Sequence, residues 1–130
     1  MTATIVLGSN CGDRETNILR ALGRVKECVE ILRSSPVYES RDYLGSGKRY
    51  LNLVAEIEGR ISEKELNRYF KQIETELGRT EVTRLCGDVP VDIDIVVWEG
   101  SVVRPEDYAT SYFREGMALL EESVEVNFIR

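Results

Sequence analysis

Apolar and polar positions change period several times along the chain. Residues 3–7, "ATIVL", form a short apolar run ending at Gly8, the length of a buried strand. Ile18, Leu22, Val25, Val29 and Leu32 then recur at helical spacing and predict a helix. Residues 34–40, "SSPVYES", predict a short strand with Pro36 tolerated at a sheet edge. Residues 50–58, "YLNLVAEIE", predict a longer one, with Leu51, Leu53, Ala55 and Ile57 on one face and Tyr50, Asn52, Val54 and Glu56 on the other. Between these two strands "RDYLGSGKR" reads as a long loop.

Ser62 and Glu65 have the spacing of a capping box. They open a helix whose Leu66, Tyr69, Phe70, Ile73 and Leu77 form an apolar stripe that stops at Gly78. "GRTEVTRLCGD" reads as a second loop, residues 91–98 as a strand, and "SVV" at 101–103 as a return beside it. "TSYFREGMALLEES" predicts a last helix weakened by Gly116. The order β-α-β-β-α-β predicts one α+β domain over residues 1–130, a ferredoxin-like split βαβ sandwich with helices on one side of an antiparallel sheet.

Composition narrows the chemistry. The 130 residues are 42% hydrophobic and 31% charged, enough for one domain with its own core. A formal charge of -6 argues against nucleic acid or anionic membranes as partners, although a local basic pocket remains compatible with it. The chain has no histidine, which removes Ser-His-Asp and Cys-His catalysis and histidine-ligated metals, so carboxylates must hold any metal. Cys11, Cys28 and Cys86 form neither a disulfide framework nor a Cys-x-x-Cys motif, which suits a reducing compartment. With no leader-like N-terminus and no long apolar run, the expectation is a soluble cytoplasmic protein of open oligomeric state.

Three patterns carry candidate chemistry. Alternation in the strand at 91–98 puts Asp92, Asp94, Val96 and Trp98 on one face and Ile93, Ile95 and Val97 on the other. Two carboxylates so close repel unless a cation lies between them, and hard oxygens suit Mg2+ with phosphate completing its shell. Taken alone, an Asp-x-Asp pair more often marks an acidic sheet edge. Tyr50 and Asn52 place an aromatic plate beside an amide, a fit to a flat heterocycle, though taken alone such a pair more often is a cross-strand packing tyrosine with a surface asparagine. "LGSNCGDRETN", beginning at Leu7, is a glycine turn into a helix, where free N–H groups favour an anion or simply make a tight turn.

Together "LGSNCGDRETNILRAL", "SSPVYES", "YLNLVAEIE", "QIETELGR" and "DVPVDIDIVVWEG" resemble, in order and spacing, the 6-hydroxymethyl-7,8-dihydropterin pyrophosphokinases of folate biosynthesis, as a short divergent member. The resemblance implies Mg2+-dependent transfer of pyrophosphate from ATP to the pterin. It implies Asp92 and Asp94 as metal ligands, acting in catalysis with Arg79. Gly8, Tyr50 and Asn52 would contact the pterin with Ser40 at its edge, and Glu74, Arg84 and Arg114 would bind nucleotide. The departures concentrate on the ATP side. The family's Trp-Gly-Pro-Arg before the acidic pair is here Cys86-Gly87-Asp88-Val89, a loop arginine is Glu81, and a stacking ring falls at Gly116 unless Phe113 swings in. The rival reading is an impaired member that binds a pterin-like ligand or a protein partner.

Overall fold

The computed structural model describes residues 1–41 and 48–129, with backbone alone for 41 and for 123–129. The "RDYLGSGKR" loop therefore lies largely outside the described residues. Its first strand, β1 (Thr2–Ser9), is buried along almost its whole length. It is a central strand, antiparallel to neighbours on both sides, which explains a continuous apolar run where a half-exposed strand would alternate.

Chain order continues through α1 (Arg14–Val25), β2 (Glu30–Ser34), β3 (Tyr38–Arg41), β4 (Arg49–Glu58), α2 (Glu63–Glu76), α3 (Glu81–Leu85), β5 (Asp92–Trp98), β6 (Ser101–Val102), α4 (Pro105–Tyr108) and α5 (Ser111–Ile129). The sheet order is β2-β4-β1-β5-β6, with β3 also paired to β4. This is the expected antiparallel α+β plan, with α1 and α2 on one side of the sheet and the last helix, α5, added on the other. α1 and α2 cover one face, where Ile18, Val25, Leu66, Phe70 and Ile73 meet Ile5, Leu7, Leu53, Ile57 and Ile93. On the opposite face α5 adds Phe113 and Leu120 to Val6, Tyr38, Val54 and Val96. No helix of the described residues is long and apolar enough to cross a membrane.

Several elements depart from the sequence pattern for identifiable reasons. The helix expected to reach Leu32 ends at Val25. Val29 still fills the core, so the periodicity persists, but Ile31 already pairs with Ile57 in the sheet. The expected strand at 34–40 is split: Ser34 ends β2, and β3 begins at Tyr38 beyond Pro36. Along β5 alternation fails after Val96. Thr4 pairs with Val97 and Ile5 with Ile95, so Val96 is the extra residue of a bulge. Val97 consequently packs toward the α5 face and Trp98 toward the α1–α2 face, the reverse of the expected assignment.

Ser62 caps α2 by accepting from the Glu65 N–H at 3.1 Å. A reciprocal capping box forms at α3, where Thr80 and Thr83 each bond the other's backbone N–H, inside the segment expected to be loop.

Gly116 fixes how closely α5 approaches the sheet. A Cβ there would overlap the Tyr38 hydroxyl and Val54 Cγ2. The same hydroxyl donates to the Tyr112 carbonyl at 2.7 Å. Gly116→Ala is therefore expected to lower stability by about 1–3 kcal/mol, despite the better helix propensity of alanine, as read by thermal or urea unfolding.

Candidate functional site

The site is organised by one row of the sheet. Gly8 pairs with Asn52 on one side and with Asp92 on the other, and Val6 in the same way stands between Val54 and Asp94. These side chains share the face on which α5 packs. A Cβ on Gly8 would lie 3.3 Å from Asn52 Oδ1 and 3.5 Å from Tyr50 Cδ2. Glycine thus keeps open the floor between the amide, the ring and the acidic pair. Asn52 Nδ2 donates to Ser40 Oγ at 2.6 Å, and Ser40 pairs in register with Tyr50. The structure therefore brings together Gly8, Ser40, Tyr50 and Asn52.

Asp92 and Asp94 are each provided with an arginine. Arg79, just past the Gly78 stop of α2, donates Nη1 to Asp92 Oδ1 at 2.7 Å and to Glu74 Oε1 at 3.0 Å. Arg104 Nη1 lies 3.6 Å from Asp94 Oδ1. Burial drives Asp94 up to about 7, and the Asp92 charge adds to the effect. Burial acts the same way on Asp92, but hydrogen bonds from the Asp94 carboxyl and from Arg79 outweigh it, leaving Asp92 below its ordinary value.

Glu74 lies beneath this pair and is only 3% exposed. Its Oε2 accepts from the Ile93 backbone N–H at 2.9 Å, pinning β5 between the two aspartates, and Lys71 completes its partners. Burial raises its pKa, partly offset by that N–H. Arg84 on α3 and Arg114 on α5 are exposed, and neither pairs with the acidic residues among the described ones. Phe113 is 1% exposed, packed in the α5 core and tilted against Tyr108 at 5.7 Å, so it is not free to swing inward as a stacking ring.

Two residues absent from the sequence reading have clear parts. Asn10 accepts the Val89 N–H at 2.6 Å, donates its Nδ2 to the Gly87 carbonyl at 2.9 Å, and gives its own N–H to the Val89 carbonyl at 2.9 Å. Lys48 pairs with Asp88 from the start of β4. Together they tie segment 86–90 to β1 and β4. Arg104 is a third missed residue. It follows β6, and the return of that strand beside β5 was its only sequence signal. Glu81, which stands where the family has a loop arginine, is exposed in the first turn of α3, where it complements the helix N-terminus.

Donor chemistry on this face fits a small hard cation. Two adjacent carboxylates supply oxygen ligands, and no group of three or more acidic or sulfur side chains among the described residues closes a metal shell. A phosphate ligand would complete the shell. Arg79 Nε is buried and without an acceptor among the described residues.

Fold and site define a split βαβ protein that sets two carboxylates beside a tyrosine ring and an amide on one face of its sheet. The chain belongs to the 7,8-dihydro-6-hydroxymethylpterin-pyrophosphokinase family, whose profile matches residues 4–121. It is 36% identical over 104 residues to the 2-amino-4-hydroxy-6-hydroxymethyldihydropteridine pyrophosphokinase of Aquifex aeolicus, covering 79% of this chain and 64% of that protein. The Bacillus subtilis protein of the same name is 35% identical over 108 residues, covering 80% and 64%. A mitochondrial folate synthesis bifunctional protein of Pisum sativum is 34% identical over 104 residues, covering 78% of this chain and 20% of its own length. The chain thus spans less than two thirds of these relatives.

Asp94 yields a signed pH test. Its folded pKa of about 7 lies above the ordinary 3.8, so its ionisation disfavours the folded state progressively as pH rises between those values. Asp94→Asn removes that cost. In metal-free buffer the variant is expected to melt higher than wild type, by more near pH 8 than near pH 5, as read by calorimetry.

Proposed function

We propose that this chain transfers pyrophosphate from ATP to the hydroxymethyl oxygen of 6-hydroxymethyl-7,8-dihydropterin, releasing AMP, in folate biosynthesis in the cytoplasm. One observation carries the reading. Gly8 stands between Asn52 and Asp92, so a planar ligand on the amide side faces a metal–phosphate site across a single strand. The names of the relatives agree with that reaction.

In this reading the Tyr50 ring supplies stacking area and Asn52, oriented by Ser40, pairs with the heterocycle edge. Gly8 admits the ring to the sheet surface. Magnesium held by Asp92 and Asp94 would neutralise and align the triphosphate. The Arg79 guanidinium, held at Asp92, would stand beside the same phosphates, while Glu74 acts by holding Arg79 and the Ile93 N–H in place.

The pterin oxygen bonds to the β-phosphorus as the bond from that phosphorus to the α,β-bridging oxygen breaks. AMP leaves with the bridging oxygen, and the hydroxyl proton passes to solvent. Phosphoryl transfer of this kind depends chiefly on alignment and charge neutralisation, so a chain without histidine is competent for it.

The test mixes purified protein with ATP, Mg2+ and the pterin and follows AMP. Wild type is expected to turn over, and joint Asp92→Ala and Asp94→Ala substitution to reduce the rate by about a thousandfold or more, the loss of several kcal/mol of charge stabilisation. Saturable pterin binding without AMP would instead establish a binding module.

A further inference from the structure

Arg104 has no part in the site as read from sequence, yet the fold delivers it there. Val97 pairs with Val102, and the Val103 N–H donates to the Val96 carbonyl at 2.9 Å, so the chain returns along the acidic strand. The Arg104 side chain is 49% exposed and lies 3.6 Å from Asp94 Oδ1. Its Nε donates to Asp107 Oδ2, and Asp107 Oδ1 accepts from the Tyr112 hydroxyl at 3.2 Å. The guanidinium is thus aimed at Asp94 by a chain of partners on α4 and α5. Arg79 holds the other aspartate.

The separation matters. At 3.6 Å the Arg104–Asp94 contact is an ion pair without a directional hydrogen bond, so little geometry is lost if the guanidinium moves away. A divalent cation on Asp94 would meet a positive charge a few ångströms off and repel it. A triphosphate arriving with that cation offers the guanidinium stronger, bidentate acceptors.

We propose that Arg104 is a nucleotide-phosphate ligand that serves as a placeholder cation. It neutralises Asp94 in the metal-free protein and transfers to a phosphate oxygen of ATP when the metal–nucleotide complex binds. The proposal rests on the pyrophosphokinase reading and adds to it a fourth cation, beyond Arg79, Arg84 and Arg114.

Opposite signs follow for two binding measurements on one variant. Arg104→Ala is expected to bind Mn2+ alone about threefold more tightly, because a neighbouring positive charge is gone. It is expected to bind Mn2+ with α,β-methylene-ATP about tenfold more weakly, because a charge-assisted phosphate contact is lost. Free Mn2+ is read by electron paramagnetic resonance and nucleotide binding by calorimetry. Arg104→Lys, which keeps the charge but not the fork, should lie between wild type and alanine in both.

A merely structural role would move both affinities the same way, and that result overturns the proposal, as does no change in either. Wild-type protein that binds no Mn2+–nucleotide and forms no AMP overturns the pyrophosphokinase reading together with it. AMP formation by wild type with unaltered Arg104→Ala affinities overturns this proposal alone.

Discussion

Two like charges on one face of a sheet organise this molecule. Asp92 and Asp94 sit two residues apart on β5, half sheltered from water, where their repulsion is costly unless cations approach. The surrounding structure supplies those cations from opposite directions. α2 ends at Glu76, and Gly78 beyond it, with a φ of 109°, turns the chain so that Arg79 reaches Asp92. β6 turns back so that Arg104 reaches Asp94. Glu74 secures the arrangement through Arg79 and through the Ile93 N–H between the aspartates. Under the proposed function this pair would exchange arginine partners for a metal and a polyphosphate.

Core and site share the strands but divide the faces. Ile93 and Ile95 anchor β5 to the α1–α2 core, while their neighbours Asp92 and Asp94 face the other way. The bulge at Val96 ends that alternation just beyond the acidic pair and turns Val97 toward α5. On β4 the same division sets Leu53 and Ala55 into the core and Asn52 beside Gly8. Rigid packing beneath the sheet therefore positions the polar groups above it, without relying on loops.

Local periodicity made the frame and half of the site legible. Period-2 alternation placed Asp92, Asp94, Tyr50 and Asn52 on their faces, and the stripe from Leu66 to Leu77 located α2. What escaped depends on tertiary pairing. Val29 satisfied a helical period while belonging to a turn before β2, and Val96 became a bulge only through its partner strand. The Thr80–Thr83 cap was hidden because both members are threonines, where the usual box has glutamate or glutamine at the second place. Arg104 and Asn10 reach the site only through chain reversals that bring distant segments together, so no spacing in sequence announces them.

The segment before the acidic pair also takes a different meaning in three dimensions. Asp88 pairs with Lys48, and Val89 is held by Asn10 through its backbone, so these departures from the family pattern join β1 and β4 to the approach to β5. The most direct test of the account is a crystal structure with Mn2+, α,β-methylene-ATP and the pterin, the ions located by anomalous scattering. The account predicts Mn2+ on Asp92 and Asp94, phosphates against Arg79, and the pterin beside Tyr50 and Asn52. Nucleotide bound elsewhere, with Arg79 and Arg104 still paired to metal-free aspartates, would contradict it.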